Sequence, residues 1–181
     1  WSSSAVEMEG WRLKQVMRLG GGLSRVAISH DRTTVATAAQ REGTVTVLEA
    51  ATLKLRSKLK LENYTTANLH GIALLPDNAR VAVLRTGVLE TYDLETRARV
   101  GAVELPKGHD SGDLGISRDG KRPYVLSSAT EKQTSAVSIY AIAPNALRLL
   151  SSVDFSVRVD SLDIAADDRH FLVGTYPNNT L

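Results

Sequence analysis

One short stretch of the chain holds the three side-chain types of a hydrolytic triad side by side. It reads Lys107-Gly108-His109-Asp110-Ser111-Gly112-Asp113. A triad needs its histidine, carboxylate and hydroxyl to converge from different parts of the fold, and adjacent residues do not converge in that way. We therefore interpret the stretch as a structural turn and expect no catalytic residue in it. As part of a loop it still offers Lys107 and His109 to a binding partner.

The sequence also lacks the ligand spacing of a metal site. Its four histidines are dispersed, whereas a metal needs several ligands brought together. Asp167 and Asp168 could supply oxygen ligands to Ca²⁺, but no run of alternating acidic residues accompanies them. There is no cysteine, which excludes thiolate ligands, cysteine nucleophiles and disulfides. We expect no metal and no other cofactor.

A basic stretch alternates strictly with other residue types, which is the pattern of a β-strand. One face of that strand carries a basic rim of four cations: Lys54, Arg56, Lys58 and Lys60. The other face carries three leucines: Leu55, Leu59 and Leu61. The rim could bind an acidic protein, phosphate or RNA, or it could protect an outermost strand from further pairing, and we favour protection. No aromatic residues interleave with the cations, so we do not expect nucleic acid as a partner.

The overall charge points to no strongly charged partner. The chain has 181 residues, and 22 Lys and Arg stand against 20 Asp and Glu, a formal net charge of +2. Only a mild attraction to an acidic protein surface follows from that excess. No apolar run approaches the ~18–20 residues that span a membrane, so we expect no membrane insertion. A protein without cysteine can be cytosolic or secreted, and we favour an intracellular, cytoplasmic location.

The elements that must position these residues are repeated four times. Each copy has a turn with an aspartate between two short apolar strands, at Asp31, Asp77, Asp119 and Asp168. The spacings of 46, 42 and 49 residues fit the ~40–50 residues of one four-stranded unit. Short β-branched or aromatic runs bounded by turn residues predict strands throughout. The sequence therefore predicts an all-β chain built from blades of four antiparallel strands.

The third copy carries the motif most completely. It reads Ser117-Arg118-Asp119-Gly120, then Tyr124-Val125-Leu126-Ser127, then Val137-Ser138-Ile139-Tyr140. This motif resembles the WD40 and YVTN-type repeats of β-propellers, and the resemblance covers nearly the whole chain. The Trp-Asp pair that names WD40 repeats is absent, and Tyr92-Asp93 comes nearest to it. The resemblance also implies that the histidine of Gly108-His109 forms a bond inside its own blade.

We predict a single propeller domain over residues 1–181, with about three full blades and two half-blades. The predicted units are a half-blade 1–22, blades 23–67, 68–110 and 111–158, and a half-blade 159–181. A propeller has to cover its sheet edges, because an unpaired edge invites aggregation. The half-blades could close within one chain, two chains could exchange halves, or further blades could lie outside this sequence. We favour further blades.

A stiff ring of blades with variable loops suits protein recognition. We therefore predict a non-catalytic protein-interaction scaffold, a subunit or segment of a larger assembly. The expected contact loops are residues 40–43, 107–111, 128–134 and 177–180. The candidate contact residues are Ser128, Thr130, Glu131, Lys132, Arg41, Lys107, His109 and Asn178.

The competing prediction is a propeller enzyme. The resemblance implies this alternative, because some propellers similar to the YVTN type hydrolyse lactones or oxidise small molecules near the central channel, often with a bound metal. Such a site needs polar ligands on the innermost strands, and the first strands of the four copies offer mainly Val, Ala, Ile and Leu. Asp163 is the only acid that we identify there.

Overall fold

The computed structural model describes most of the chain as β-structure. The described residues are 3–7, 12–17, 19, 22–62, 69–109, 111–129, 131–143, 146–165 and 167–175. Within these ranges no residue is helical, and so no helix there is long and apolar enough to cross a membrane. Runs such as Thr44-Val45-Thr46-Val47 are rich in β-branched residues, which pack well on a pleated surface and restrict the backbone to extended conformations.

Three antiparallel sheets have four strands each, and every strand pairs with its neighbour in sequence. Blade 1 contains β3 (Leu23–Ile28), β4 (Thr34–Ala39), β5 (Thr44–Glu49) and β6 (Leu55–Lys60). Blade 2 contains β7 (Leu69–Leu74), β8 (Arg80–Arg85), β9 (Val88–Asp93) and β10 (Arg99–Glu104). Blade 3 contains β11 (Ser111–Ile116), β12 (Pro123–Ala129), β13 (Thr134–Ala143) and β14 (Ala146–Phe155).

A two-stranded sheet lies at each end of this series. The first pairs β1 (Ser3–Glu7) with β2 (Arg12–Met17), and the last pairs β15 (Val159–Ile164) with β16 (Phe171–Thr175). The prediction of an all-β propeller with three full blades and two half-blades is confirmed. The first strands β3, β7, β11 and β15 contact one another in turn, which makes them the innermost strands of the propeller.

The turn after each first strand has one design in all four copies. The residue with positive φ is Arg32, Asn78, Gly120 or Asp168. The aspartate just before it accepts a backbone N–H bond two residues on, in the pairs Asp31–Thr33, Asp77–Ala79, Asp119–Lys121 and Asp167–Arg169. The alignment on Asp168 is therefore wrong by one residue, and Asp167 is the repeated aspartate. Aspartate tolerates left-handed backbone better than most residues, so the adjacent pair fits both positions.

The hydrophobic core lies between blades, so blade 2, which has a blade on either side, is buried on both faces. Between blades 1 and 2 it includes Val47, Leu59, Ile72 and Val83. Between blades 2 and 3 it includes Leu84, Leu89, Val125 and Tyr140. Between blade 3 and the last half-blade it includes Leu126, Val137 and Val159, with Phe171 packed against them. Each fully buried aliphatic side chain contributes about 1.5–3 kcal/mol, so stability depends on the stacking of neighbouring blades.

The innermost strands approach so closely that only small residues fit between them. Ala27 and Ala73 lie where one innermost strand faces the next, and Gly115 takes the same place in blade 3. A Cβ atom on Gly115 would lie 2.9 Å from Cγ1 of Ile164, closer than real Cβ contacts allow. Asp163 occupies the equivalent position in β15 and is exposed.

The first strand of blade 1 leaves apolar side chains exposed on its outward side, although Thr37, Thr46 and Leu48 on the same face of β4 and β5 are buried. Val26 and Ile28 are 62% and 63% exposed, whereas Ile72 and Leu74, at the same positions of blade 2, are 5% and 4% exposed. The difference arises because Ile72 and Leu74 pack against the preceding blade. The outward face of blade 1 therefore has the composition of a blade interface.

A charged cluster is buried inside blade 2. Glu90 is fully buried, and its Oε1 accepts bonds from Arg85 Nη2 (3.0 Å) and Arg99 Nη1 (2.8 Å). Its Oε2 accepts a 3.0 Å bond from the Tyr92 hydroxyl. Arg85 Nε lies 2.8 Å from the same Oε2, within ion-pair distance although not aligned for a hydrogen bond. Burial, followed by the charge of Glu90, raises the pKa of Tyr92, so the hydroxyl keeps its proton.

We predict that Leu74→Ala lowers the free energy of unfolding much more than Ile28→Ala does, although the two residues occupy equivalent positions in the first strands of blades 2 and 1. Leu74→Ala removes buried contacts between blades and should lower the free energy of unfolding by about 2–5 kcal/mol. Ile28→Ala changes an exposed side chain and should lower it by less than about 0.5 kcal/mol. Urea denaturation of the 181-residue chain measures both. Equal losses would show that the outward face of blade 1 is covered, and sedimentation at two protein concentrations would then show whether a second copy covers it.

We predict that Glu90→Ala lowers the free energy of unfolding by about 3–5 kcal/mol, because it leaves the Arg85 guanidinium buried without its countercharge. Tyr92→Phe removes one hydrogen bond and should cost about 1 kcal/mol. Glu104→Ala, at an exposed position of β10, is the matched control. The same denaturation measurement compares all three, and a Glu90→Ala loss no larger than that of the control would contradict the stabilising role of the cluster.

Candidate functional site

The strand order divides the connections of the blades between two faces. The loop face is the side that carries the connections after second and fourth strands, such as residues 40–43, 86–87 and 105–109. We call turn face the opposite side, with the connections after first and third strands, such as residues 29–33, 75–79 and 94–98. The described residues of the predicted contact loops 40–43, 107–111 and 128–134 lie at the loop face.

Arg41 is held at the loop face by the chain segment that enters blade 1. The Gln40 N–H donates to the Gly22 carbonyl at 2.9 Å, which ties the loop to that segment. Arg41 then lies over Gly22, where a Cβ atom would stand 2.8 Å from Cγ of the arginine. Gly22 also has a φ of +69°, which glycine adopts without strain. Glycine is therefore favoured at this position both by the backbone conformation and by the space that Arg41 occupies. Arg41 itself is exposed, although its base is fixed.

The basic rim divides between the two faces. Lys58 Nζ lies 4.0 Å from Glu42 Oε2, and Lys60 Nζ donates to the Glu42 carbonyl, so both lysines lie beside the loop 40–43. Arg56 Nη1 instead donates to Thr34 Oγ1 at 2.6 Å. Lys54 precedes β6 and is exposed on the turn face.

The three leucines predicted to share the face opposite the rim differ in burial, because Leu59 and Leu61 are buried whereas Leu55 is 55% exposed. The pairing of β5 with β6 shifts between Val47 and Leu48, so Leu48 pairs with Leu55 after Val47 has paired with Ser57. A shift of this kind inserts one residue and interrupts the alternation of faces. Strict period 2 therefore holds only from Arg56 onward.

His109 forms its bond inside its own blade. Its Nδ1 lies 2.8 Å from Ser127 Oγ on β12, and His70 Nε2 lies 3.0 Å from Thr86 Oγ1 in blade 2. A histidine and a serine at this distance could form a nucleophile–base pair. However, Ser127 is fully buried, which prevents a substrate from reaching its hydroxyl. The contact anchors the loop 105–109 to the sheet, while Lys107 stays exposed.

The loop of blade 3 is shorter than predicted, because Ser128 belongs to β12. Ser128 is 2% exposed, and its Oγ lies 2.9 Å from both Ser135 Oγ and the Val159 carbonyl. Val159 N–H in turn donates to Ser135 Oγ at 2.9 Å, so the two serines join blade 3 to the last half-blade. Ser128 thus has no surface for a partner. Glu131 and Lys132 are exposed at the loop face, whereas Thr130 and Asn178 lie outside the described residues.

The innermost strands carry two more acids than the sequence analysis identified. The prediction that Asp163 is the only one is wrong, because β11 begins at Ser111 and so includes Asp113, and β15 begins at Val159 and so includes Asp160. Asp113 Oδ1 accepts the Leu114 N–H at 2.9 Å, and Oδ2 accepts the Leu162 N–H of the next strand at 3.4 Å. In the described part of the chain, no group of three or more His, Asp or Glu side chains forms a cluster that could hold a metal ion.

On the turn face, the repeated aspartates are strongly bonded carboxylates. The Ser29 hydroxyl, followed by the Thr33 N–H, holds the pKa of Asp31 well below its ordinary value, and the Ser117 hydroxyl does the same for Asp119. The Arg169 N–H and the His170 ring lower the pKa of Asp167 to about 2. Two bonds also join turns of neighbouring blades: Asn78 Nδ2 to Asp31 Oδ2 and Arg118 N to Asp168 Oδ1, each 2.6 Å.

The turn face also contains cations that the sequence analysis did not single out. Arg80, Lys121 and Arg122 line one cleft between blades 2 and 3. The signal in the sequence is that three of the four turns are followed by basic residues: Arg80, Lys121-Arg122 and Arg169. Their convergence depends on the stacking of blades, which a single repeat does not reveal.

No protein-family model and no curated protein matches this chain. Solved structures do match it. Hydrazine synthase of Kuenenia stuttgartiensis aligns at a TM-score of 0.78 and 16% identity, over 99% of this chain and 51% of that one. The β-propeller domain of Cps50 (Swd1) from Myceliophteria thermophila aligns at 0.75 and 12%, over 99% and 60%. Hsv2 of Kluyveromyces lactis aligns at 0.59 and 11%, over 77% and 50%. The chain spans about half the length of these structures, and at such identities the match shows the β-propeller fold alone.

We predict that acid destabilises the chain through the turn aspartates. Because the pKa values of Asp31, Asp119 and Asp167 are lowered by folding, their contribution to stability is complete above the ordinary value of 3.8 and is lost as the pH falls through the folded values. For Asp167 the loss should occur between about pH 4 and pH 2. Thermal denaturation over this range should show a smaller pH dependence for Asp167→Asn than for the parent chain. Asp154→Asn, at an exposed position of β14, should leave the dependence unchanged, and equal slopes for all three proteins would contradict the prediction.

Proposed function

We propose that this chain is a non-catalytic protein-interaction scaffold, a subunit or segment of a larger assembly, which binds partners through its loop face. One observation carries the proposal: the loop face holds exposed charged side chains on loops whose bases are anchored to buried strands. These side chains are Arg41, Lys107, Glu131 and Lys132.

The anchoring of the loops supports this proposal. Gln40 is bonded to Gly22, and His109 to the buried Ser127, so the loops of blades 1 and 3 start from fixed positions. A surface ordered before binding loses less conformational freedom when a partner docks. Loops carried by stacked sheets therefore suit recognition of a protein surface.

The charges of the loop face support a partner with an acidic surface. Lys58 and Lys60 lie beside Glu42, and together with Arg41 they leave an excess of positive charge at this edge of blade 1. Surface charges of this kind mainly steer encounter and orientation, and salt screens them. Association should thus weaken as the salt concentration rises.

The exposed side of β3 in blade 1 supports assembly with further propeller structure. Val26 and Ile28 occupy positions that are buried in blade 2 and partly buried in blade 3. We include in the proposal that this face docks against additional blades or against a second chain.

We predict that Arg41→Glu combined with Lys132→Glu abolishes the retention of partner proteins. The full 181-residue chain, immobilised at low salt, should retain specific proteins from a native cell extract, and the double variant should lose them because its loop face carries reversed charges. The matched control is Arg148→Glu combined with Arg169→Glu, which makes the same change of charge at exposed positions outside the loop face. Loss of the same proteins by the control, or no difference between the parent chain and the loop-face variant, would contradict the proposal.

A further inference from the structure

A cleft of about 400 Å³ opens on the turn face between blades 2 and 3. It is lined by Pro76, Arg80, Asp119, Gly120, Lys121, Arg122, Ala141 and Ile142. Gly120 sets its width, because a Cβ atom there would lie 2.8 Å from the ring of Pro76 in the neighbouring turn. Gly120 also has a φ of +69°, so a side chain would be strained at this position as well as crowded.

The cleft concentrates positive charge. Three cations line it against one carboxylate, Asp119, which the Ser117 hydroxyl and the Lys121 N–H already bond. Arg80 is fixed by Asp77 at 2.7 Å and by the Ala143 carbonyl at 3.3 Å. Among the residues that the structure describes, no carboxylate lies within ion-pair distance of the Lys121 or Arg122 side chain. These two cations are therefore open to an external anion.

The neighbouring cleft, between blades 1 and 2, has the opposite charge. It has a volume of about 350 Å³, and it presents three carboxylates, Asp77, Asp93 and Glu95, with the single cation Arg56. The Asp77–Arg80 ion pair separates the two clefts, with the acid lining one and the base lining the other. Equivalent places in the repeat thus differ in sign, so the blade fold does not itself require cations between blades 2 and 3.

The chemistry of the cleft suits carboxylate side chains better than a compact phosphate. Sites for phosphate often present free backbone N–H groups. Here the N–H groups of Gly120 and Arg122 already donate to Ser117, and that of Lys121 donates to Asp119. Anion recognition is left to flexible side chains, and the guanidinium of Arg122 matches the two oxygens of a carboxylate. Pro76 and Ile142 add apolar surface beside the charges.

We propose that the cleft between blades 2 and 3 binds an acidic segment of a partner protein, with its carboxylates at Lys121 and Arg122 and an apolar side chain against Pro76 and Ile142. This inference rests on the proposed scaffold function and adds a second docking site on the face opposite the loop face. The acidic cleft between blades 1 and 2 repels the same segment, so of these two clefts only the basic one accepts it.

The test uses the 181-residue chain and a fluorescein-labelled peptide of alternating glutamate and leucine, with fluorescence anisotropy at low salt. Lys121→Glu combined with Arg122→Glu should raise the Kd by about tenfold or more, since two favourable contacts become repulsive. Arg56→Glu combined with Lys54→Glu makes the same change of charge on the turn face of blade 1 and should leave the Kd within about twofold. Thermal denaturation confirms that each variant is folded. If the charge-reversed cleft variant does not fold, Lys121→Gln combined with Arg122→Gln takes its place.

Three results would overturn the cleft proposal. They are absence of binding by the parent chain, an equal loss in the blade 1 control, and displacement of the peptide by millimolar inorganic phosphate. None of these touches the loop-face proposal, because Arg41 and Lys132 lie on the opposite face and their variants are read by retention of proteins. Conversely, the loop-face variants could retain every partner, which would contradict the loop-face proposal. Peptide binding that depends on Lys121 and Arg122 would still support the cleft proposal in that case.

Discussion

The close approach of neighbouring innermost strands is the constraint on which the rest of this structure depends. Gly115 and Ile164 are so near that one added carbon would collide, and Gly71 would meet Leu114 at 2.5 Å in the same way. At this separation the apolar cores form between sheets, and blade 2, which is stacked on both sides, buries both of its faces. Stability is therefore a sum of interfaces between neighbours, as in other repeat proteins. The outward side of β3, where Val26 and Ile28 are exposed, keeps the composition of an interface.

The turns and the polar bonds hold the stacked sheets in register. Asn78 reaches Asp31 across one interface, and Arg118 N–H reaches Asp168 across another. At the outer side, Ser57 Oγ donates to the Leu94 carbonyl at 2.7 Å, which joins the fourth strand of blade 1 to blade 2. Hydrophobic burial alone would permit neighbouring sheets to slide past each other. The directional hydrogen bonds between turns and at the fourth strand favour one alignment of the sheets that they join. The two faces can then carry different chemistry on one rigid body.

Local patterns predicted the fold because each strand and turn depends on few neighbouring residues. The period of the aspartate turns and the β-branched runs sufficed to count the blades. Errors arose where tertiary structure chose between local alternatives. Asp167 and Asp168 both suit a turn, and only the folded structure shows that the Asp167 carboxylate accepts the Arg169 N–H within the turn while Asp168 takes the left-handed position. Leu55 departs from alternation because a strand shift intervenes, and Ser128 continues a strand to bond Val159 in the next unit. The basic cleft was missed for the same reason, since its cations belong to two blades.

The two ends of the blade series are chemically different surfaces. At the Ala27, Ala73 and Gly115 positions the next innermost strand meets only a methyl group or a hydrogen, but at Asp163 it would meet a carboxylate. Asp163 Oδ1 accepts its own Ile164 N–H at 2.8 Å, the same local bond that Asp113 forms with Leu114. Asp113 shows how such an acid fits between strands, because its second oxygen accepts an N–H from the neighbouring strand. Burying the Asp163 carboxylate without a donor would cost several kcal/mol. A neighbour stacked on β15–β16 must therefore supply a donor, whereas a neighbour stacked on β3 needs only apolar surface.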